Sequence, residues 1–284
     1  MINHWRLAAF LFTVFVLAGP LFGQDAAPGP DRAAVELGSR TAKGGFRNED
    51  EIAAKFNAWR TDAEAVVWLG FMGYRPGAIS SVAAAKPHGE KADVVVQIRM
   101  LPQSRRDAKQ EERREGISIK LVSSQSGFNQ IDKRWLSHYA KMWRMPAEVV
   151  TALRLFVGEV RPNKPSRRPE RMFLNELTPE QRKAVTDFFA ANKTEIVADL
   201  FSGDGEFAAA WMMVALKSSA KPRWVLRRID HVIKFFGEGP VEITRAGNLK
   251  IGRITMQRKG GDGGRETARM LQFKIDPSLL FDGQ

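Results

Sequence analysis

Asp93 and Lys120 are the two residues whose types and spacing could do chemistry. Asp93 opens a β-branched run, a second such run spans 116–122, and the residues between the two runs are polar. This pattern predicts two antiparallel strands joined by a turn. A turn centred near residues 106 and 107 sets position 93 opposite position 120, because paired positions in such a hairpin have a constant sum. Ser118 lies on the same face because side chains alternate along a strand.

An acid beside a lysine is suited to hydrolysis of a phosphodiester. That reaction needs a divalent cation, which neutralises charge on the phosphoryl oxygens and acidifies a water molecule. Asp93 could hold the ion, since Mg²⁺ accepts a few protein oxygens together with waters and phosphate. Lys120 could orient the attacking water and stabilise charge near it. In the simpler alternative, Asp93 caps a strand and Lys120 extends from a solvated face.

The nuclease motif usually written PD-(D/E)XK has a further acid two residues before the lysine. Ser118 stands at that position here, so the first acid of the acid-X-Lys triplet is missing. The hairpin taken alone therefore favours the simpler alternative.

Longer stretches of the chain resemble type II restriction endonucleases of the HinP kind, which cut the sequence GCGC. The resemblance begins near Val35 and is carried by five stretches, 36–49, 120–139, 207–211, 223–227 and 252–277. The glycine-rich stretch 252–277 is the most specific of the five. The resemblance implies an α/β fold, in which helices flank a mixed central β-sheet with a restriction-endonuclease-like core.

The resemblance also implies roles for the residues of the hairpin. Asp93 matches the metal-binding aspartate of the family, and Lys120 matches the catalytic lysine. The resemblance implies Gln-X-Lys as the family's triplet, so Ser118 departs from the family's residue at this position. Because serine is shorter, it would reach a metal only through water. Glu49, at the start of a predicted helix, becomes a further catalytic and metal-binding candidate. With the backbone carbonyl of Ile119, these side chains form the expected Mg²⁺ site.

Two segments are predicted to contact double-stranded DNA. The first follows the lysine strand and offers an aromatic ring that could wedge between base steps, two amides and a cation; its candidates are Phe128, Asn129, Gln130 and Lys133. The alternative for the ring is a place in the core. The second segment is a glycine-rich loop with donors for guanine and phosphate and one acceptor for cytosine; its candidates are Gln257, Arg258, Lys259, Asp262, Arg265 and Thr267.

Composition agrees with a DNA partner. The 284 residues carry 44 Lys and Arg against 32 Asp and Glu, a formal net charge of +12. Such a chain favours polyanions because neutralised phosphates release counterions. The charge would also suit an anionic membrane surface, although no stable membrane association is expected. The absence of cysteine excludes disulfides, cysteine zinc sites and thiol nucleophiles.

The N-terminal residues conflict with an enzyme that acts on DNA in the cytoplasm. Residues 7–22 form an apolar run after Arg6, which is typical of a signal peptide. Because the resemblance begins near Val35, we expect a misassigned start and a cytoplasmic protein. The predicted organisation is a leader-like segment and linker over 1–34 and a single restriction-endonuclease domain over 35–284.

Patterning along the chain predicts the following elements. Helices are expected at about 49–59, where Asn48 and Glu51 form a capping box, at 132–143 and 147–156, after Thr178, at 207–215 and at 225–236. Strands are expected in the hairpin and at 241–244, 249–258 and 271–275. These strands are predicted to complete the mixed sheet.

The function that these observations favour is Mg²⁺-dependent hydrolysis of duplex DNA at a short palindrome, GCGC by resemblance, leaving 5′-phosphates. A DNA methyltransferase is implied as functional partner, and a palindromic site is compatible with a homodimer. Two alternatives remain open. Ser118 would suit a cationic DNA-binding protein with a decayed centre, and the leader would suit a secreted nuclease of broad specificity.

Overall fold

The hairpin of Asp93 and Lys120 is part of a five-stranded sheet in the computed structural model of the chain. The structure describes residues 32–87, 90–102, 111–123, 128–218, 221–261 and 265–282, and only the backbone of 32–42. Residues 1–31, with the predicted leader, lie outside the described residues, as does Asp262.

Helices and strands alternate irregularly along the described residues. The helices are α1 (Arg32–Asn57), α2 (Ala63–Phe71), α3 (Leu136–Met142), α4 (Ala147–Val157), α5 (Pro179–Ala191), α6 (Lys193–Phe201) and α7 (Ile229–Gly237). The strands are β1 (Ile79–Ala85), β2 (Val94–Met100), β3 (Glu112–Val122), β4 (Asn129–Arg134), β5 (Trp211–Leu216), β6 (Arg223–Arg228), β7 (Val241–Ile243), β8 (Leu249–Ile251), β9 (Ile254–Arg258) and β10 (Leu271–Ile275). Over this part of the chain, no helix combines the length and apolarity that crossing a membrane requires.

The strands form two sheets. The first sheet has the order β1-β2-β3-β5-β6, and it is mixed because β3 and β5 run parallel while the other neighbours are antiparallel. The second sheet has the order β4-β10-β9-β8-β7 and is antiparallel. A mixed sheet with flanking helices is confirmed. The expectation that the C-terminal strands join the hairpin's sheet was wrong, since they form the second sheet.

Strand β5, inside the first sheet, is buried on both faces, which explains its continuous apolar sequence. On one face of β5, Trp211 and Met213 pack with α1, α2 and apolar residues of β2 and β3, among them Ile117. The alternate residues Met212 and Val214 pack with helices α3 to α7 and with the second sheet. A strand that is buried on both faces is a continuous apolar run rather than an alternating one.

This burial also explains two wrong predictions. The stretch 207–215 was expected to be helical, but β5 occupies Trp211–Leu216, and β6 replaces the first turn of the helix expected from residue 225. A short, continuous apolar run cannot be told from a buried helix by its periodicity. The parallel partner of β5 is Ile117–Val122 of β3, far away in sequence, so local pattern carried no sign of the pairing.

The predicted start of the first helix was also wrong. Helix α1 begins at Arg32, so Asn48 lies inside it, only 2% exposed, and does not cap it. Glu51 does not complete a capping box either, because it binds the Lys217 ammonium at 2.5 Å. By contrast, the predicted cap at Thr178 is confirmed, since its side chain accepts a hydrogen bond from the Gln181 backbone N–H.

Gly116 lets another segment cross close to the middle of β3. A Cβ at this position would lie 2.2 Å from the carbonyl oxygen of Ala208, while the Ala210 N–H donates to the Gly116 carbonyl at 2.8 Å. We expect Gly116→Ala to lower the free energy of unfolding by about 1–3 kcal/mol, because overpacking forces the backbone apart. Urea denaturation measures this loss.

Gly70 provides the matched control. It lies exposed in α2, and a Cβ there would meet no atom within 4 Å. Gly70→Ala should raise the free energy of unfolding by about 0.5–1 kcal/mol, because glycine weakens a helix interior. A Gly116→Ala protein as stable as the parent would show that the crossing segment moves freely.

Candidate active site

Asp93 immediately precedes β2, next to the first residue pair that β2 forms with β3. Val94 pairs with Ile117, so position 93 lies opposite Ser118 and not opposite Lys120 as expected. The register differs from the predicted one by two positions. An even shift keeps the same faces together, and the two side chains still meet diagonally: the Lys120 ammonium lies 3.5 Å from Asp93 Oδ2.

The backbone of β3 fixes the Asp93 carboxylate. The Ile119 N–H donates to Asp93 Oδ2 at 2.6 Å, and the Asp93 N–H donates to the Ile117 carbonyl at 2.9 Å. The Ser118 hydroxyl, almost fully buried, lies 3.4 Å from the same Oδ2. Among the described residues these contacts end on Oδ2, so Oδ1 is the oxygen left to a cation. The Asp93 side chain keeps 27% of its surface exposed, which gives a ligand access to it.

The Lys120 ammonium contacts two of the oxygen groups that could bind a cation, the Ile119 carbonyl and the Asp93 carboxylate. Its ammonium donates to the Ile119 carbonyl at 3.0 Å and faces the Asp93 carboxylate, with 14% of the side chain exposed. A lysine that is fixed in this way is a preorganised positive charge. It can stabilise negative charge that develops on a phosphate bound beside Asp93.

Glu49 approaches this pair from α1. Burial raises its pKa above the ordinary value of 4.5, and the Asp93 carboxylate adds to the rise, while Lys86 and Lys120 oppose it. Lys86 binds Glu49 at 3.1 Å and the neighbouring Asp50 at 2.9 Å. The predicted trio of Glu49, Asp93 and Lys120 is therefore brought within electrostatic range.

The raised pKa of Glu49 predicts a pH-dependent effect on stability. A carboxyl group with a higher pKa in the folded chain stabilises the fold below its unfolded pKa, and that contribution is lost as pH rises through the folded pKa. Glutamine mimics the protonated form. We therefore expect the melting temperature of Glu49→Gln minus that of the parent, both measured in EDTA, to increase as pH rises from about 4.5 toward neutrality.

Asp50→Asn is the matched control for this experiment. It removes an adjacent, exposed carboxylate that binds the same Lys86, so it reports on the loss of that ion pair alone. A difference in melting temperature between Glu49→Gln and the parent that stays constant with pH would contradict the raised pKa of Glu49.

The donors at this place fit a hard divalent cation. The described residues contain no group of three His, Cys, Asp or Glu side chains arranged for a metal. The site instead offers two carboxylates, Asp93 and Glu49, and the carbonyl of Ile119, all oxygen ligands of the kind Mg²⁺ takes. The mutual repulsion of the two carboxylates is what a cation would relieve. Ser118 hydrogen-bonds to Asp93, which suits support of a ligand more than direct ligation.

The first predicted DNA segment is a strand and not the start of a helix. Asn129–Arg134 forms β4, and helix α3 begins only at Leu136. Gln130 and Lys133 are exposed, and the Phe128 ring before the strand is 63% exposed, so it is not part of the core.

Two of the predicted DNA contacts lie in one row across the second sheet. Lys133 of β4 pairs with Gln272 of β10, which pairs in turn with Gln257 of β9. Lys274 of β10 pairs with Gln130 of β4 on the same face. This polar face is opposite the core-facing row that includes Phe273.

The remaining predicted DNA contacts lie at the end of β9 and in the segment between β9 and β10. Arg258 pairs with the buried Leu271, so it lies on the opposite face from Gln257, and its Nε donates to the Val157 carbonyl at 2.9 Å. Lys259 follows directly and its N–H binds the Met270 carbonyl. Arg265 is exposed before a short 3₁₀ turn that contains Thr267.

Several polar residues near these sites were missed in the sequence. Gln272 and Lys274 belong to the polar face, and the alternation Leu-Gln-Phe-Lys-Ile of β10 was a usable signal for both. Burial lowers the pKa of Lys274. Asn48 is buried with neither side-chain atom hydrogen-bonded; nothing in its sequence context indicated this. Lys86, the partner of Glu49, likewise had no local signal.

Comparison with known proteins finds a matching family and a similar fold. The family model described as R.HinP1I restriction endonuclease matches residues 72–281, a range that includes Asp93 and Lys120 but not Glu49. No curated protein sequence matches the chain. One similar solved structure is the crystal structure of restriction endonuclease MspI in complex with its cognate DNA. It is 13% identical, with a TM-score of 0.57 over 84% of this chain and 92% of that chain, a likeness that shows a shared fold. Because the family model matches well over half of its residues, the chain belongs to the R.HinP1I restriction endonuclease family.

Proposed function

We propose that this type II restriction endonuclease hydrolyses duplex DNA with Mg²⁺ at GCGC and leaves 5′-phosphate ends. The observation that carries the proposal is the fixed pair of Asp93 and Lys120, 3.5 Å apart, at the end of a hairpin. Glu49 adds a second carboxylate within electrostatic range.

The residues divide the chemistry among them. Asp93, with Glu49 and the Ile119 carbonyl, would hold the cation, which when bound supplies charge neutralisation and a more acidic water. Lys120 would donate hydrogen bonds to the attacking water and to the scissile phosphate. Ser118 would orient the Asp93 carboxylate. Water bonds to phosphorus while the bond to the 3′ oxygen breaks, which yields a 3′-hydroxyl and a 5′-phosphate.

The polar face of the second sheet is proposed to contact the bases. Lys133 and Gln257 can donate to the acceptors of guanine, and a glutamine can also accept from the cytosine amino group. Arg265, Lys259 and Thr267 at the loop would add contacts to the backbone or base edges, and Phe128 would wedge between base steps. Recognition of GCGC rests on the family resemblance and on this mixture of donors and acceptors.

The partners and the location follow from the same proposal. A palindromic site is compatible with a homodimer that places one active site on each strand. A DNA methyltransferase would protect the host sequence. Because foreign DNA is met in the cytoplasm, we propose that the enzyme acts there.

Digestion of a plasmid with several GCGC sites tests the proposal. We expect Mg²⁺ to give discrete fragments that end at those sites, and EDTA to give none. A smear would instead favour a nuclease of broad specificity. Binding without cleavage would favour a decayed DNA-binding protein, the alternative that Ser118 raises, and either result would overturn the proposal.

A further inference from the structure

A buried ion pair joins the second sheet to the segment that carries Asp93. The Lys91 ammonium lies 3.1 Å from Asp132 Oδ2 and donates to the Ile131 carbonyl at 2.9 Å. Only 14% of the Lys91 side chain and 8% of the Asp132 side chain are exposed. Lys91 stands two residues before Asp93, and Asp132 lies in β4 between the exposed Gln130 and Lys133.

Asp132 is rigidly held from several sides. Tyr139 on α3 donates its hydroxyl to Oδ1 at 2.6 Å, and Arg134 donates its Nε to Oδ1 at 3.1 Å. With Lys91 at Oδ2, both carboxylate oxygens are satisfied. A buried network with all its members paired defines one arrangement of the groups that it joins.

A β-bulge in β4 creates this contact. Asp132 pairs with Phe273, but the next residue of β10, Lys274, pairs with Gln130, so Ile131 is an extra residue without a partner in the ladder. Consequently Ile131 and Asp132 are both buried, although they are adjacent, while Gln130 is exposed. Bulges re-aim side chains and are common beside active sites. Here the bulge directs one carbonyl and one carboxylate toward Lys91 while it leaves Gln130 on the polar face.

The other end of the pair is equally constrained. The Ala92 N–H donates to the Phe207 carbonyl at 3.1 Å, and the Asp93 N–H donates to the Ile117 carbonyl at 2.9 Å. Gly203 packs against Lys91, since a Cβ on it would lie 2.9 Å from the Lys91 Cβ. The path from β4 to Asp93 therefore consists of one ion pair and two backbone positions that are fixed by hydrogen bonds.

We propose that Lys91 is a positioning residue that couples contacts of β4 with DNA to the placement of Asp93 for the divalent cation. The inference rests on the proposed function and deepens it. A displacement of β4 on DNA binding would move Asp132 and Ile131, and Lys91 follows them because an unpaired buried charge is strongly unfavourable. Correct DNA then favours the metal-binding position of Asp93, and the metal favours correct DNA by the same factor.

Equilibrium DNA binding in Ca²⁺ and in EDTA measures this coupling without any cleavage. For a GCGC duplex, the ratio of the dissociation constant in EDTA to that in Ca²⁺ is the coupling factor. We expect about 10-fold or more for the parent, within the range of about 5- to 150-fold that is typical of coupled sites. For Lys91→Met the ratio should fall toward 1, while affinity in EDTA stays within about threefold of the parent, since the phosphate contacts are retained. A Lys91→Met protein with the parental ratio would overturn the coupling.

Arg134→Met is the matched control, because it removes a contact with the same Asp132 but leaves the Lys91 pair intact. It should retain the parental ratio, and an equal loss in this variant would overturn the specific role of Lys91. Lys91→Arg, which keeps the charge, should restore part of the ratio. If Lys91→Met does not fold, Asp132→Asn replaces it, since the amide keeps the shape of the side chain but removes its charge.

Failure of the coupling and failure of the proposed function are distinguishable. The coupling alone is contradicted if the parent cleaves GCGC with Mg²⁺ and binds DNA more tightly in Ca²⁺, while Lys91→Met keeps the parental ratio. A parent that neither cleaves nor responds to Ca²⁺ removes both. A purely structural role for Lys91 would lower the melting temperature of the variant and leave the ratio unchanged.

Discussion

Asp93→Asn is expected to lower the rate of Mg²⁺-dependent cleavage by at least about 1000-fold. A metal ion contributes several kcal/mol to stabilisation of the transition state, and each 1.36 kcal/mol corresponds to a factor of ten in rate. Asparagine has nearly the same shape, and its side-chain oxygen can still accept from the Ile119 N–H that binds Oδ2 at 2.6 Å in the parent. The substitution therefore removes charge at the proposed metal site with little change to the hairpin.

Single-turnover cleavage of a duplex with one GCGC site measures this effect. Binding to the same duplex should persist in the variant, because loss of a negative charge near the phosphates does not weaken the electrostatic attraction to DNA. Asp230→Asn is the control, since Asp230 is 67% exposed on α7 and binds its sequence neighbours, the Arg228 side chain and the His231 N–H. Equal rates for Asp93→Asn and Asp230→Asn would remove Asp93 from the active site.

Lys120→Met should lower the cleavage rate by about 100- to 1000-fold, the loss typical for removal of one preorganised donor at a developing negative charge. Methionine retains the apolar length of the side chain, which is largely buried. What disappears is the ammonium that binds the Ile119 carbonyl and faces Asp93. DNA affinity should change little, because one of many cations is lost.

The control for this variant is Lys183→Met. Lys183 is 75% exposed on α5 and pairs with Asp187 one helical turn away, so its loss lowers the net charge by the same amount. The cleavage rate of Lys120→Met should be far lower than that of Lys183→Met, while the two variants should have similar melting temperatures. Were the two variants to cleave equally fast, Lys120 would only pair with Asp93 as a structural ion pair.

The sequence allowed the hairpin of Asp93 and Lys120 to be predicted because its information is local. Two β-branched runs with a polar insert predict a hairpin, and period-two alternation assigns faces without knowledge of the turn. The register came out two positions from the expected one, with Val94 opposite Ile117, because the geometry of the turn cannot be derived from its composition. Asp93 and Lys120 nevertheless meet, since only an odd shift would have separated their faces.

Features that depend on distant segments were not predictable. The parallel pairing of β3 with β5 and the close approach of Ala208 to Gly116 join residues about ninety positions apart. The bulge at Ile131 is another example, since it becomes visible only when β4 is aligned with β10. The buried pair of Lys91 and Asp132 depends on that bulge, and neither residue has an unusual local context.

Cleavage of a duplex with a single GCGC site, followed by mapping of both product ends, tests the central claim most directly. Parent protein with Mg²⁺ should give one cut in each strand at that site, with 5′-phosphate ends, and Asp93→Asn should give no product on the same time scale. Cleavage by Asp93→Asn at the parental rate, or cleavage by the parent in EDTA, would contradict a metal-dependent active site at Asp93 and Lys120.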